Sequence, residues 1–176
     1  MFKRGKILTL SALISTCAIC SYSFLPEYLK SKMVKQVCKL YDKQTNAVEL
    51  PIANSLLLDH QVFSLVKEDS IIGYSIISRA LGCNIGGCEK PSSSNAFEQF
   101  FFMTAFDRDK NIKKVRVLEY TSNHGYQVAN KGWLKQFEDK KQFKVGQNID
   151  AISGATISVK SITSGVNNQI KIIDSY

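Results

Sequence analysis

Histidine is scarce in this chain. His60 and His124 are the only two in 176 residues, far apart and without ligand spacing around either. No second cysteine pair completes a zinc site, so no metal centre is expected. The sequence also lacks a Gly-x-Ser-x-Gly elbow, a Walker loop and a dinucleotide fingerprint, and nothing points to the chemistries those motifs serve. It contains no internal repeat and no long low-complexity tract. At this length there is room for one ordinary domain and an appendage.

Charge is plentiful but unevenly placed. The formal net charge is +8, which raises the question of nucleic acid. Residues 1–43 hold eight basic and two acidic side chains, a surplus of six, whereas residues 44–176 hold fifteen and thirteen, a surplus of two. The presumed domain is nearly balanced, so no nucleic-acid partner is expected.

The excess flanks an apolar N-terminus. Lys3, Arg4 and Lys6 precede 19 uncharged residues, 7–25, close to the ~20 that span a bilayer as a helix. A basic start before an apolar run fits a secretory signal peptide or an uncleaved membrane anchor. A retained anchor is the expectation, with the short basic end inside. Residues 26–48 then read as a juxtamembrane helix and linker, with Leu29, Met33, Val37 and Tyr41 on one stripe and lysines around it. A solvated connector is the plain reading of this stretch, and contact with anionic lipid the sharper one.

Residues 49–176 read as an α+β domain in which an antiparallel sheet of hairpins packs with helices. A helix is expected after Pro51. Strands are expected at 62–66 and 71–78 around a turn at 68–70, and at 100–106 and 112–120 around a turn at 107–111. The segment 100–106 is almost wholly apolar, as a buried central strand would be. Asp107 and Asp109 belong to the turn and need no catalytic role. Residues 131–138 read as a short helix with Trp133, Leu134 and Phe137 inward.

The last element carries the strongest signal. Val159, Ile162, Val166, Ile170 and Ile173 recur at helical spacing. Just before them stand Asp150, Ser153, Gly154, Ala155 and Thr156, a polar turn that feeds a helix start. Such a start offers unpartnered N–H groups and positive partial charge, which suit a phosphate. Gly154 permits close approach, and Ser153 and Thr156 add hydroxyls. A plain helix cap is the bland alternative.

Taken whole, Asp-x-x-Ser-Gly-Ala-Thr at 150–156 resembles the flavinylation motif of the FMN-binding domain family. That family includes the C subunit of sodium-pumping NADH:quinone oxidoreductases and the G subunit of Rnf-type complexes. The resemblance runs loosely over residues 60–173 and tightly from Asp150 onward. It implies FMN joined through a phosphoester to Thr156 by a flavin transferase, with Asp150, Ser153, Gly154 and Ala155 completing the recognition sequence. A Gly-containing turn approaches the flavin ring in the family. The matching residues here are 122–126, which depart from the Glu-Thr-Pro-Gly of the best-known members and leave Gly125 and Tyr126 as candidates. Trp133 reads as core.

The resulting expectation is a membrane-tethered flavoprotein on the extracytoplasmic side of a bacterial inner membrane, relaying electrons to a redox partner the sequence does not name. A non-covalent flavin reductase and a thiol–disulfide oxidoreductase using Cys83 and Cys88 are the alternatives, with a plain binding protein behind them. Cys83 and Cys88 frame a flexible loop able to close a disulfide outside the cytoplasm. Structural bridging is the plain reading of that pair, and electron exchange with a flavin the sharper one. Cys17 and Cys20 lie in the apolar run as small hydrophobes, and Cys38 is left over.

Overall fold

The computed structural model describes residues 25–51, 59–83 and 98–176. The expected apolar N-terminal helix, the helix after Pro51 and the loop bearing Cys88 lie outside them. No helix among the described residues is long and apolar enough to cross a membrane.

Five strands form one antiparallel sheet in sequence order: β1 (Asn46–Leu50), β2 (His60–Lys67), β3 (Ser70–Leu81), β4 (Gln99–Asp107) and β5 (Ile112–Tyr120). Each strand pairs with its chain neighbour, so the two expected hairpins are joined through a β3–β4 ladder that pairs Ile76 with Thr104 and Ser78 with Phe102. The β2–β3 turn is tight because Glu68 and Asp69 both adopt positive φ, at 49° and 62°, which matches the twist of the flanking strands.

Alternation along the strands sends side chains to two buried faces. Phe100, Phe102 and Phe106 of β4 go to one side with Val62 and Ile76, while Met103 and Ala105 go to the other with Phe63 and Ile77. This is why residues 100–106 are apolar except for Thr104. A strand covered on both faces has no solvent side on which to place polar residues. Helix α3 (Thr156–Asp174) covers the first face through Val159, Ile162, Val166, Ile172 and Ile173. Gly165 lets it sit close, since a Cβ there would come within 2.7 Å of the Phe102 ring.

Helix α1 (Glu27–Leu40) covers the second face. The sequence reading of residues 26–48 as a connector is corrected on this point. Leu29 and Met33 are fully buried against Phe63, Leu65, Ile77 and Met103, and burying such side chains stabilises a fold by roughly 1.5–3 kcal/mol each. The stripe was visible, but what it packs on was not. Residues 46–50, divided between linker and domain by the sequence, pair with β2 as the edge strand. The described residues thus form three layers, α1 on the sheet on α3.

The segment read as one helix at 131–138 divides into α2 (Lys131–Leu134) and a 3-10 turn at Lys135–Phe137. Asn130 caps it by accepting from the Gly132 and Trp133 N–H groups. Ahead of it lies another 3-10 turn, Tyr126–Ala129.

Candidate functional site

The polar turn at 150–155 runs from the α2 region to the start of α3, and both sides hold it. The Trp133 indole Nε1–H donates to the Asp150 carbonyl at 3.0 Å, and the Asp150 N–H donates to Gln136 Oε1 at 2.8 Å. Trp133 is half-buried and stands edge-on to Phe137 at 5.5 Å. Its core role is therefore only half of its work, because its polar edge fixes where the motif begins.

Gly154 follows with φ +74°, and a Cβ there would meet nothing within 4 Å. The position needs glycine for its backbone conformation and leaves open space above the chain. Ala155 is buried, whereas Ser153 and Thr156 are exposed. Thr156 is the first residue of a 19-residue helix whose N-cap, Ala155, makes no side-chain cap and whose first turn has no acidic residue. The helix dipole at this end is left without a compensating side chain, and an anion is favoured there.

A second turn packs directly on this start. Gly125, at φ +78°, lies so close that a Cβ on it would be 2.6 Å from Ser158 Oγ, 2.7 Å from Tyr120 Oη and 3.1 Å from Cys83 Sγ. Ser158 is the hub. Its hydroxyl accepts from the Cys83 N–H at 3.2 Å and shares a 2.8 Å hydrogen bond with the Tyr120 hydroxyl. Tyr120 in turn donates to the His124 carbonyl at 2.7 Å, and Ser122 Oγ donates to the Cys83 carbonyl at 3.1 Å. The ends of β3 and β5, the 122–126 turn and the first turn of α3 are thereby tied into one corner. Tyr126, next to Gly125, turns outward and is 57% exposed.

The structure thus brings together the two segments singled out by sequence, 122–126 and 150–156, and adds Cys83 between them. Cys83 is disulfide-bonded, and its partner lies outside the described residues. Cys38 is a free cysteine, half-buried and remote from this corner in the fold. Sequence reasoning missed Ser158, Tyr120 and Ser122. Ser158 could have been found by extending the apolar stripe of α3 backwards, since 158 shares a face with 162, 165, 166 and 169 and a serine buried there requires partners. Among the described residues no group of three or more His, Cys, Asp or Glu is placed to hold a metal ion.

The donor set fits a phosphate: an uncapped long helix, two exposed hydroxyls and a glycine with open space above it. The FMN-binding domain family model matches residues 98–171. This segment is an FMN-binding domain. The match begins at the start of β4 and runs almost to the end of α3, taking in the Gly125 turn, the Trp133 segment and the whole of the 150–156 motif. The cofactor it indicates is FMN, and the class of protein a flavin-binding electron-transfer protein. Helix α1 and the β1–β3 part of the sheet lie outside the matched residues, a narrower span than the resemblance over 60–173 suggested. No curated protein matches the chain.

Proposed function

We propose that the protein is an electron carrier whose FMN is joined by a phosphoester to the Thr156 hydroxyl. The observation that carries this reading is the placement of Thr156. It is an exposed hydroxyl at the first position of an uncapped helix, directly after a glycine turn with open space, inside the FMN-binding match. Asp150 and Ser153 are exposed beside it, accessible to a flavin transferase. The α3 N-terminus and Ser153 hold the phosphate, and Tyr126 offers its exposed ring to the flavin from the neighbouring turn. Gly125 itself serves by letting that turn close on Ser158.

Bound flavin supplies the redox chemistry, and the chain supplies position and electrostatics. The Trp133–Asp150 and Gln136–Asp150 hydrogen bonds fix the entry to the motif, and Ser158 fixes the 122–126 turn against it. Covalent attachment suits a site from which a free cofactor would diffuse away.

The reading places the domain outside the cytoplasm, tethered by residues 7–25, with a membrane redox partner. A basic start before that apolar run supports the tether, and a disulfide at Cys83 suits an oxidising compartment. The test is export of the full chain with a flavin transferase, followed by denaturing electrophoresis. Flavin fluorescence should migrate with the polypeptide and vanish in Thr156→Ala. Fluorescence that survives the substitution would assign the acceptor elsewhere, and fluorescence lost from the unaltered chain on denaturation would make the binding non-covalent.

A further inference from the structure

Lys160 lies on α3 four residues past Thr156, and both side chains are exposed. Residues at that spacing are neighbours on a helix surface, with Cβ atoms about 5–6 Å apart. Helical side chains also lean back toward the N-terminus, so the Lys160 stem runs toward Thr156. Ser158 and Val159, which separate the two along the chain, are buried and leave that stretch of surface clear.

The same lysine has no carboxylate to pair with. The other positions three or four residues from it on α3 are Ile157, Thr163 and Ser164, and the one acid of the helix, Asp174, stands at its far end. Among the described residues the ion pairs are Lys32–Glu119, Lys67–Asp42, Arg79–Asp59 and Lys113–Asp139, and Lys160 enters none of them. It makes no side-chain hydrogen bond among them either.

A cation near the positive end of a helix is badly placed on its own account, because the dipole favours anions there. The first turn of α3 has no acidic residue and no side-chain cap to offset it. The dipole and the ammonium therefore add at the Thr156 hydroxyl, and an anion attached at that hydroxyl turns both from unfavourable to favourable. A local choice that opposes the element it sits in marks a functional position.

We infer that Lys160 is the counter-charge for the cofactor's phosphate, contacting it from one turn along α3. The inference rests on the carrier reading. A phosphate esterified both to Thr156 and to the flavin's ribityl chain keeps one negative charge at neutral pH, which one ammonium matches. A point charge on a flexible stem suits that task. Lys160 thus adds a charge-dependent hold to the one supplied by the helix N–H groups and Ser153.

The test compares three loaded full-length chains, unaltered, Lys160→Gln and Lys160→Arg, each exported with a flavin transferase and kept in a phosphorus-free detergent. The probe is the phosphorus NMR resonance of the attached FMN. In the unaltered chain it should move with added salt, because salt screens an exposed ion pair. In Lys160→Gln it should sit apart from the unaltered position and stay fixed across the same salt range, while Lys160→Arg should keep both position and salt response. Acetylation with an N-hydroxysuccinimide ester gives a second reading by peptide mass. Lys160 should react several-fold more slowly in the loaded chain than in Thr156→Ala, whereas Lys171, exposed near the other end of α3, should react alike in both. One resonance shared by all three chains and indifferent to salt, or equal acetylation of Lys160 with and without flavin, would overturn the contact and leave the carrier reading untouched. A Thr156 peptide that carries no flavin would instead sink the carrier reading, and the contact with it.

Discussion

The two helices that sandwich the sheet are of similar amphipathicity to the eye, yet they bury different things. Helix α1 puts only apolar side chains on its face of the sheet: Leu29, Met33 and Val37 against Phe63, Leu65, Ile77 and Met103. Helix α3 buries Val159, Ile162, Val166, Ile172 and Ile173 but adds Ser158, Thr163 and Gln169. Thr163 satisfies itself by donating to the Val159 carbonyl one turn back at 2.7 Å. Ser158 binds Cys83 and Tyr120 instead. A buried polar group must be paired to be tolerated, so Ser158 obliges three other segments to converge on the first turn of α3. The apolar face makes the fold stable, and the mixed face makes a corner.

Substitutions on the two faces should separate along that line. Met33→Ala has the largest expected effect, about 2–5 kcal/mol lost in denaturant unfolding. The molecules that remain folded should carry flavin as before, because nothing at the 150–156 turn touches α1. Ser158→Ala should cost less, about 1–3 kcal/mol for the buried Cys83 N–H left without its acceptor. It should nonetheless reduce flavin loading of folded protein, since the Gly125 turn loses its anchor. If both variants lowered loading equally at matched stability, the division between faces would fail.

His60 tests the mixed face by pH. Burial lowers its pKa, with Asp59 opposing in part, and its ring contacts Ser78 Oγ at 2.6 Å and Asn168 at 3.3 Å. The folded state favours neutral imidazole, so below an unfolded value of about 6.5 the unfolded chain binds more protons. Stability should be at its plateau above that pH and decline as pH falls from there towards the folded pKa. The slope should disappear in His60→Gln. A slope that persists would have to come from the carboxylates.

The smallest effect belongs to the rim of the apolar face. Glu119 accepts from Lys32 and from Tyr28, each at 2.7 Å, and Lys32 is the first cause of its lowered pKa, with Tyr28 next. The pair is solvent-accessible, so Lys32→Met should change stability by only about 0–1 kcal/mol, and added salt should reduce the difference further.

What the sequence made legible follows the same division. Strands β2 to β5, the turns within their two hairpins and the last helix could be read from alternation, turn residues and helical spacing, because those patterns are local. The motif at 150–156 was readable because its residues are contiguous. The role of α1 was not, since an amphipathic stripe specifies a buried face without naming what buries it. Edge strand β1 was missed because residues 46–50 are mostly exposed and lack a hydrophobic alternation. Cys83 was recognised as half of a bridge, but its contact with Gly154 and Ser158 joins residues more than seventy positions apart, and no spacing rule reaches that far. Trp133 was placed in the core from its type. Its hydrogen bond to Asp150 depends on which way the indole edge faces, and only the fold decides that.

The most direct measurement is the mass of the peptide containing Thr156 from full-length protein exported with a flavin transferase. The covalent-carrier assignment predicts that this peptide is heavier by FMN less one water, and that the increment is absent in Thr156→Ala. An unmodified, colourless Thr156 peptide, with a control flavoprotein modified in the same cells, would contradict it.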